Sequence, residues 1–557
     1  MNFNCPSAST LMYVAAAGGH VGSQAANAKI AMVSGLGACG SLPSGVVVNE
    51  LTTAASTYAL SGFAAAGATA ATFQGKSPGI DQAFLTLTNL INPATGAFTT
   101  TGRESNATVI QQRLDTVANA LSGCNVSSGA SVCAELFSCV QANATYAVSG
   151  QPCTGGTGPT ANDTTNAALA IAQNAGTVSM AGIFDVANGH HSFAPYLSAA
   201  PLEWSLPLVF TVRNYGPLAI DSTGNVWLLA PDPHPANSSA PNLAVTEMDP
   251  TGAFLSPHQT GHDWSAGGVA SINGNDVTNL AIDLHDNVWV SGSTSVIAKL
   301  TSAGAGAAGA PFTAVGRADD TSAVSIDIND NAWIASGAGN DVYEFSNSGT
   351  MLTATGGLLT LNCPCDGMAA DVLGNVWTIS NGTNQFLAQI SAGGVEGNIQ
   401  SPSSGYPLVH YTAVAADADG DLWIADQHYH GVWEAVPAGA NATLSAAPFA
   451  NDAGSGTAPK AVAVDGAGHK WIANNPSVGN FPSVTELSAD GTANLSPSDG
   501  FGFQVNSSVT TAYAIAVDGS GNVWVTDGSG TITEFVGAAS PTRNPIVSGL
   551  AAGSFVP

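Results

Sequence analysis

The sequence contains little charge, and the charge it has is almost all negative. Only 9% of its 557 residues are charged, with 10 Lys and Arg against 38 Asp and Glu, so the formal net charge is −28 at pH 7. Nucleic acids and anionic membrane surfaces select clustered cations, so neither is an expected partner. The acidity is consistent with simple solubility. Our sharper hypothesis is an acidic extracellular setting, in which few and partly protonated carboxylates limit self-repulsion.

Long apolar runs, targeting signals and catalytic motifs are also missing. No run of about 18 apolar residues predicts a membrane span, and the first ten residues lack the basic and apolar regions of a signal peptide. The sequence contains no G-x-S-x-G, no H-E-x-x-H and no phosphate-binding loop. Composition and motifs therefore identify no familiar hydrolase, metalloprotease or nucleotide-binding enzyme.

Eight cysteines are present, without a C-x-x-C pair or the spacing of a zinc site, which favours disulfides and an oxidising compartment. Sequence proximity predicts the pairs Cys5–Cys39, Cys124–Cys133 and Cys139–Cys153. Cys363 and Cys365 are too close together for an ordinary disulfide. We therefore expect an extracellular or cell-envelope protein. Disulfides imply secretion, but the sequence shows no signal peptide. To reconcile these two observations, we interpret residues 1–19 as the remnant of a β-domain whose beginning this chain lacks.

Residues 20–200 are rich in Ala, Ser and Thr, and their apolar residues recur nearer the helical period. Helices are predicted at 25–36, 49–63, 79–91, 108–121, 134–140 and 164–174, with a further one at 180–186. This region is expected to be a small, disulfide-stapled α-helical domain. It contains no catalytic motif.

A short pattern occurs seven times between residues 218 and 527, from LAIDSTGNVWLLA to IAVDGSGNVWVTD, and its tryptophans are 44 to 62 residues apart. The repeated Asp and Trp pairs are Asp221 and Trp227, Asp283 and Trp289, Asp327 and Trp333, Asp371 and Trp377, Asp417 and Trp423, Asp465 and Trp471, and Asp518 and Trp524. This period is typical of β-propeller blades. The sequence therefore predicts a mainly β fold, with a seven-bladed β-propeller of four-stranded blades at residues 201–557.

Each repeated residue has a structural role in this interpretation. The Asp carboxylate can accept hydrogen bonds from the main chain of the following turn, where Gly and Asn tolerate positive φ. The Trp ring can fill the space between blades, and we expect its N–H to reach a main-chain carbonyl. Two segments could supply the outer strand that closes the ring, residues 206–212 or the tail after residue 535.

The pattern D-x-x-G-N-V-W-[VI]-x-[DN], followed by V-x-E-[LF], resembles NHL-type repeats and especially the virginiamycin B lyase type of seven-bladed propeller, over about residues 215–540. Residues 37–42 and 46–60 resemble, more weakly, the region before such repeats in secreted acidobacterial proteins, which implies no activity. The first resemblance implies a lyase that uses a metal and a channel-mouth histidine to open a cyclic lactone by elimination.

The copies differ at the residue that ends the Trp strand. It is small in four blades: Ala230, Gly292, Ser336 and Ser380. In blades 5 to 7 it is Asp426, Asn474 and Asp527, and His428 and His430 follow in blade 5. Carboxylates, an amide and an imidazole suit Mg²⁺, Ca²⁺ or Mn²⁺, with Asp426 and Asp527 as metal ligands. The resemblance implies His428 as the base with Asp426 orienting it, although the repeat ends lack the glutamate of that family.

The favoured function is non-enzymatic, namely an extracellular or cell-envelope propeller that binds a protein or a glycan. The predicted contact region is residues 233–264, with His258, His262 and Trp264. One alternative is a metal-dependent lyase or lactonase at the channel mouth. Another is a structural protein that assembles through its helical domain. No cofactor is firmly expected, and the sequence specifies no oligomeric state.

Overall fold

A computed structural model describes most of the chain. The described residues are 5–19, 26–99, 107–126, 130–212, 216–231, 243–257, 264–272, 279–292, 296–313, 321–336, 341–353, 365–380, 385–400, 409–450, 457–476, 482–497, 502–505, 511–527 and 530–557. None of the helices in these ranges is long and apolar enough to cross a membrane.

In the described residues, the N-terminal module combines six α-helices with short strands. The helices are α1 (Glu50–Ala59), α2 (Gly79–Leu90), α3 (Gln111–Val126), α4 (Ala130–Cys139), α5 (Thr164–Gln173) and α6 (Met180–Asn188). The strands are β1 (Leu11–Ala17), β2 (Ala31–Ala38), β3 (Ala64–Ala65), β4 (Thr72–Phe73), β5 (Ile91–Asn92), β6 (Ala97–Phe98) and β7 (Ala107–Val109). The predicted disulfide-stapled helical region is therefore confirmed.

The helix predicted at 25–36 is wrong, because the chain there forms β2, which pairs antiparallel with β1. Helix α1 binds this strand through its hydroxyl groups. The main-chain N–H of Val33 donates to Thr53 Oγ1, and that of Gly35 donates to Ser56 Oγ. A side chain at Gly35 would meet Leu87 of α2 at 2.5 Å, so the glycine allows α2 to pack closely against this strand as well. Partners distant in sequence thus stabilise an extended strand where local spacing suggests a helix.

All three predicted disulfides are present, and all lie in the N-terminal module. They join Cys5 to Cys39, Cys124 to Cys133 and Cys139 to Cys153. Cys365 is buried, whereas Cys363 lies outside the described residues.

The rest of the chain forms seven sheets. Blade 1 contains β9 (Leu218–Ile220), β10 (Val226–Pro231) and β11 (Leu243–Met248), and blade 2 contains β12 (Asn279–Ile282), β13 (Val288–Ser291), β14 (Val296–Leu300) and β15 (Phe312–Thr313). Blade 3 contains β16 (Thr321–Ile326), β17 (Ala332–Ser336) and β18 (Val342–Phe345), and blade 4 contains β19 (Gly367–Ala370), β20 (Val376–Ser380), β21 (Phe386–Ile390) and β22 (Glu396–Gln400).

The remaining sheets complete the circle. Blade 5 contains β23 (Tyr411–Ala416), β24 (Leu422–Asp426), β25 (Gly431–Ala438), β26 (Asn441–Leu444) and β27 (Phe449–Ala450), and blade 6 contains β28 (Thr457–Val464), β29 (Lys470–Pro476), β30 (Ser483–Leu487) and β31 (Phe503–Gln504). Blade 7 contains β32 (Ala514–Val517), β33 (Val523–Thr526) and β34 (Thr531–Phe535). The first strands of neighbouring blades contact one another all the way round, including β32 with β9. The predicted seven-bladed propeller is confirmed.

The ring is closed by a segment that precedes the first blade. Strand β8 (Pro207–Thr211) pairs antiparallel with β34, and β7 of the N-terminal module pairs with β8. Of the two predicted solutions, the structure therefore adopts the one with residues 206–212. The tail instead crosses the turns of blades 6 and 7 and ends in the short helix α7 (Ile546–Ala552).

Candidate functional site

Each blade is closed by a hydrogen bond between its repeated Asp and Trp. In all seven blades the indole Nε1 donates to Oδ2 of the Asp six residues earlier, at 2.8–3.2 Å. The other oxygen, Oδ1, accepts from the main-chain N–H groups two and four residues after the Asp. The expected main-chain carbonyl partner of the indole is wrong, because the main chain of the turn bonds Oδ1 and Oδ2 lies beside the buried indole. In blades 2, 4 and 7 the Asn side chain of the turn also donates to Oδ2.

In blades 2 and 3, a second Asp in the turn links the blade to the one before it. Most blades place Gly at positive φ three residues after the Asp, but Asp286 and Asp330 stand there with φ of +59° and +67°. A non-glycine residue in this region is strained. The carboxylate of each residue offsets this strain by accepting hydrogen bonds from the preceding blade. Asp286 accepts from the N–H and hydroxyl of Ser222, and Asp330 accepts from the N–H of Leu284.

Asp330 belongs to a polar cluster with Asp283 and His285, whose ligand atoms lie within 4.8 Å of one another. Among the described residues this is the one group of three acidic, His or Cys side chains close enough to hold an ion. The chain itself supplies the positive charge there. Lys299 Nζ lies 3.0 Å from Asp283 Oδ2, and the Asn347 amide donates to both carboxylates. Burial opposes ionisation, but hydrogen bonds from Asn287 and Lys299 lower the pKa of Asp283.

The predicted catalytic Asp426 is fully buried, and hydrogen bonds engage both of its carboxylate oxygens. Oδ1 accepts from the N–H groups of His410 and His428, and Oδ2 accepts from Trp433 Nε1 at 2.8 Å. His428 and His430 are both exposed, and His430 has φ of +53°. The described geometry therefore uses Asp426 to fix the turn after β24 and the Trp433 ring.

The two other predicted residues of this set are also held within their own blades. Asn474 is buried and donates to Thr485 Oγ1 at 2.9 Å, while Asp527 accepts from the N–H of Thr531 and from its hydroxyl. Within the described part of the chain, Asp426, His428 and Asp527 do not form a group close enough to hold an ion. These residues as placed do not fit a shared metal.

Half of the predicted contact region, residues 233–242 and 258–263, lies outside the described residues, and this half includes His258 and His262. Trp264 is described and packs against blade 1. Its Nε1 donates to Glu247 Oε2 at 3.2 Å, and its main chain pairs with Val245. Burial raises the pKa of Glu247 to about 7.

The first strands of the seven blades surround a central cavity of about 270 Å³. One end of this cavity is lined by Asn544, Pro545 and α7, whose Val547 and Leu550 side chains are buried. This end lies on the side of the Asp turns, because Asn544 donates to the carbonyl of Val517, the last residue of β32. The described lining contains Ala, Val, Leu, Ile, Met, Pro, Ser and Asn, and no charged residue.

Sequence reasoning missed the polar cluster and the tail that reaches the cavity. Departures from the repeat pattern could have indicated the cluster, since blades 2 and 3 read D-x-x-D-N and Lys299 replaces the usual Glu of the third strand. Lys470 is a comparable departure in blade 6, and its Nζ lies 3.9 Å from the Trp423 ring centroid. The tail carries no comparable signal.

The seven sheets define the chain as a seven-bladed β-propeller with an N-terminal helical module. No family model and no curated protein matches it. Among solved structures it is similar to virginiamycin B lyase from Staphylococcus aureus, with 15% identity, 59% of this chain and 98% of that chain covered, and a TM-score of 0.42.

A gluconolactonase from Xanthomonas campestris is similar at 11% identity, covering 58% of this chain and 97% of that one, with a TM-score of 0.34. PorZ, a surface component of the type-IX secretion system of Porphyromonas gingivalis, is similar at 15% identity, with 58% and 46% covered and a TM-score of 0.41. At this level the likenesses carry no argument about activity.

Proposed function

We propose that this chain is a non-enzymatic, extracellular or cell-envelope propeller that binds a protein partner. The observation that carries the proposal is a group of exposed aliphatic side chains on blades 2 to 4. The exposed fractions are 37% for Leu284, 51% for Leu352, 70% for Leu373 and 65% for Val395. We call these four residues the blade 2–4 turn face.

All four lie at the end of the ring that carries the Asp turns. Leu284 and Leu373 are within such turns, whereas Leu352 and Val395 follow the third strands of blades 3 and 4, which run back to the same end. Neighbouring blades touch here, since a side chain at Gly374 would meet Ile328 of blade 3 at 3.1 Å. Contiguous exposed apolar patches mark protein-binding surfaces, and we propose that these four side chains form such a patch across adjacent turns.

The same end of blades 1 and 7 is different, because the chain covers it itself. The Gln82 side chain of α2 lies directly against Gly224 of blade 1 and Gly519 of blade 7. Turns that the N-terminal module covers carry small residues, whereas blades 2 to 4 carry aliphatic ones. This contrast supports an intermolecular partner for blades 2 to 4.

Charge indicates the class of partner. Glu396, the first residue of β22 in blade 4, and Asp419, in the Asp turn of blade 5, are exposed, and the chain has a net charge of −28. A protein with basic residues around an apolar contact would complement this surface. The extracellular or envelope location is supported by the three disulfides, which persist in oxidising compartments.

The test is the double variant Leu373→Asp and Val395→Asp, compared with Val148→Asp and Leu202→Asp, which change equally exposed residues outside this face. Envelope proteins captured by the wild type are identified, purified and titrated against all three proteins. We expect the face variant to bind at least about tenfold more weakly and the control to bind normally. Equal binding by all three would refute the proposal, as would a glycan ligand whose binding survives the face variant.

The lyase or lactonase alternative stays a prediction. It needs a metal held near His428, and the described geometry engages Asp426 and Asp527 in hydrogen bonds within their own blades. The assembly role of the helical module also stays a prediction.

A further inference from the structure

We propose that the central cavity is a binding site for a small, uncharged, largely apolar organic molecule. This inference does not depend on the proposed protein partner, which would bind the outer turns. It rests on the shape of the cavity, the absence of charge in its described lining, and one buried hydroxyl group.

The cavity is formed by the fold itself. Every blade contributes its first strand to the wall, and Val547 and Leu550 of α7 line the end beside the Asp turns. The volume of about 270 Å³ is slightly below the usual range for drug-sized ligands. It suits a molecule of about ten to fifteen non-hydrogen atoms.

The lining of the cavity disfavours a charged ligand. The chain contains 38 Asp and Glu, yet the described lining has no acidic or basic side chain. A charged ligand would lose its hydration there without gaining a counter-charge, which is unfavourable. A neutral ligand loses much less and gains contacts with the aliphatic wall.

One side chain makes the wall asymmetric. The residue that pairs with Trp in the first strand is Ala in six blades and Ser325 in blade 3. Ser325 is 9% exposed and lines the cavity. A hydroxyl can donate and accept hydrogen bonds, which the alanines of the other blades cannot do. A polar group on the ligand could therefore bond to Ser325.

Calorimetry at pH 6 with two probes that share one ring system tests the proposal. The neutral probe is 2-naphthol and the anionic probe is 2-naphthoate. We expect 2-naphthol to bind saturably with one molecule per chain, at least about tenfold more tightly than 2-naphthoate. No saturable binding of 2-naphthol, which would mean that the cavity holds water only, overturns the proposal, and so does equal affinity for the two probes.

Two variants locate the bound probe. Val414→Trp fills the cavity from the wall and should abolish binding, whereas the control Val148→Trp, at an exposed residue, should not. Ser325→Ala removes only the hydroxyl and should weaken 2-naphthol about fivefold. Unchanged binding by folded Val414→Trp contradicts the proposal. Should that variant not fold, unchanged binding by Ser325→Ala contradicts the proposed role of the hydroxyl.

Discussion

The propeller and the N-terminal module are stabilised in different ways. Every blade contains its own polar closure, in which one carboxylate holds both a turn and an indole. The described part of the N-terminal module contains no such repeated closure. Three disulfides staple it, and one hydrophobic cluster joins its helices to blades 1 and 7, with Tyr58 and Leu87 on one side and Trp524 on the other. Each blade of the propeller therefore has its own stabilising hydrogen bonds. The N-terminal module is stabilised instead by disulfides and by its contact with the propeller.

The junction between the two parts is built around a buried carboxyl group. Glu534 of blade 7 is fully buried, and its Oε1 accepts from Thr86 of α2 and from Asn522. Burial, with the charge of Asp518 beside it, raises the pKa of Glu534 well above its usual value. The junction therefore contains a carboxyl group whose protonated form is favoured by its burial and by the neighbouring acid.

The largest expected effect comes from removing a blade closure. Asp371→Ala leaves the N–H groups of Leu373 and Asn375 and the indole of Trp377 without their acceptor. We expect a loss of about 4 kcal/mol in the free energy of unfolding, measured with urea. The matched control is Asp490→Ala, which also removes an acceptor of a turn N–H but is exposed and holds no tryptophan. Equal losses would contradict the structural role of the Asp–Trp bond.

The next effect concerns the module. Cys139→Ser with Cys153→Ser opens a loop of 14 residues, for which we expect a loss of about 3 kcal/mol. Hydrogen exchange should accelerate in α4 and α6, since Gly182 of α6 packs against both sulfur atoms. The amides of β20 and β24 in blades 4 and 5 should keep their protection. A uniform loss across all blades would show that the two parts unfold as one unit.

Buried carboxyl groups make stability depend on pH. Burial raises the pKa of Glu247 to about 7, and burial with neighbouring acids raises that of Asp421 to about 6. A raised pKa in the folded state favours folding below the usual value of about 4 and loses that contribution as pH rises through 6 to 7. We expect the melting temperature to be higher at pH 5 than at pH 8.

Glu247→Gln should reduce this difference by about 2–4 °C. The control substitution Glu396→Gln, at an exposed acid, should leave the difference in melting temperature between pH 5 and pH 8 unchanged. A wild-type melting temperature that peaks near neutral pH and falls toward pH 5 would contradict the acidic-setting hypothesis.

The smallest effect concerns the links between blades. Asp286→Gly relieves the strain at φ of +59° but removes two hydrogen bonds to Ser222 of blade 1. The two terms oppose each other, and we expect a net loss of about 1 kcal/mol in the free energy of unfolding. A more stable variant would show that the strain exceeds the value of the link.

The repeats predicted the propeller because seven copies of one pattern leave few other folds. Proximity predicted the disulfides. The strand β2 was missed because its partners, such as Thr53 and Ser56, follow about twenty residues later and local spacing cannot reveal them. The tail was missed because α7 is short and is held by the ring of blades, not by its own propensity.

The predicted site shows a different limit. Asp426 differs from the small residues at the same place in blades 1 to 4, which correctly marks it as unusual. The sequence cannot show that His410 and Trp433, sixteen and seven residues away, bind its two oxygens. A departure from a repeat identifies a special residue without showing whether its role is in folding or in chemistry.

The central claim is that the Asp carboxylates of the blades stabilise the fold through their hydrogen bonds, and we propose that they do so without a bound metal. The most direct test is the melting temperature of the wild type and of Asp426→Ala, each in chelator and in Mg²⁺, Ca²⁺ or Mn²⁺. We predict that the wild type melts at one temperature in all four conditions and that the variant melts lower in all four. A wild type that chelator destabilises to the level of an ion-insensitive Asp426→Ala would contradict the claim.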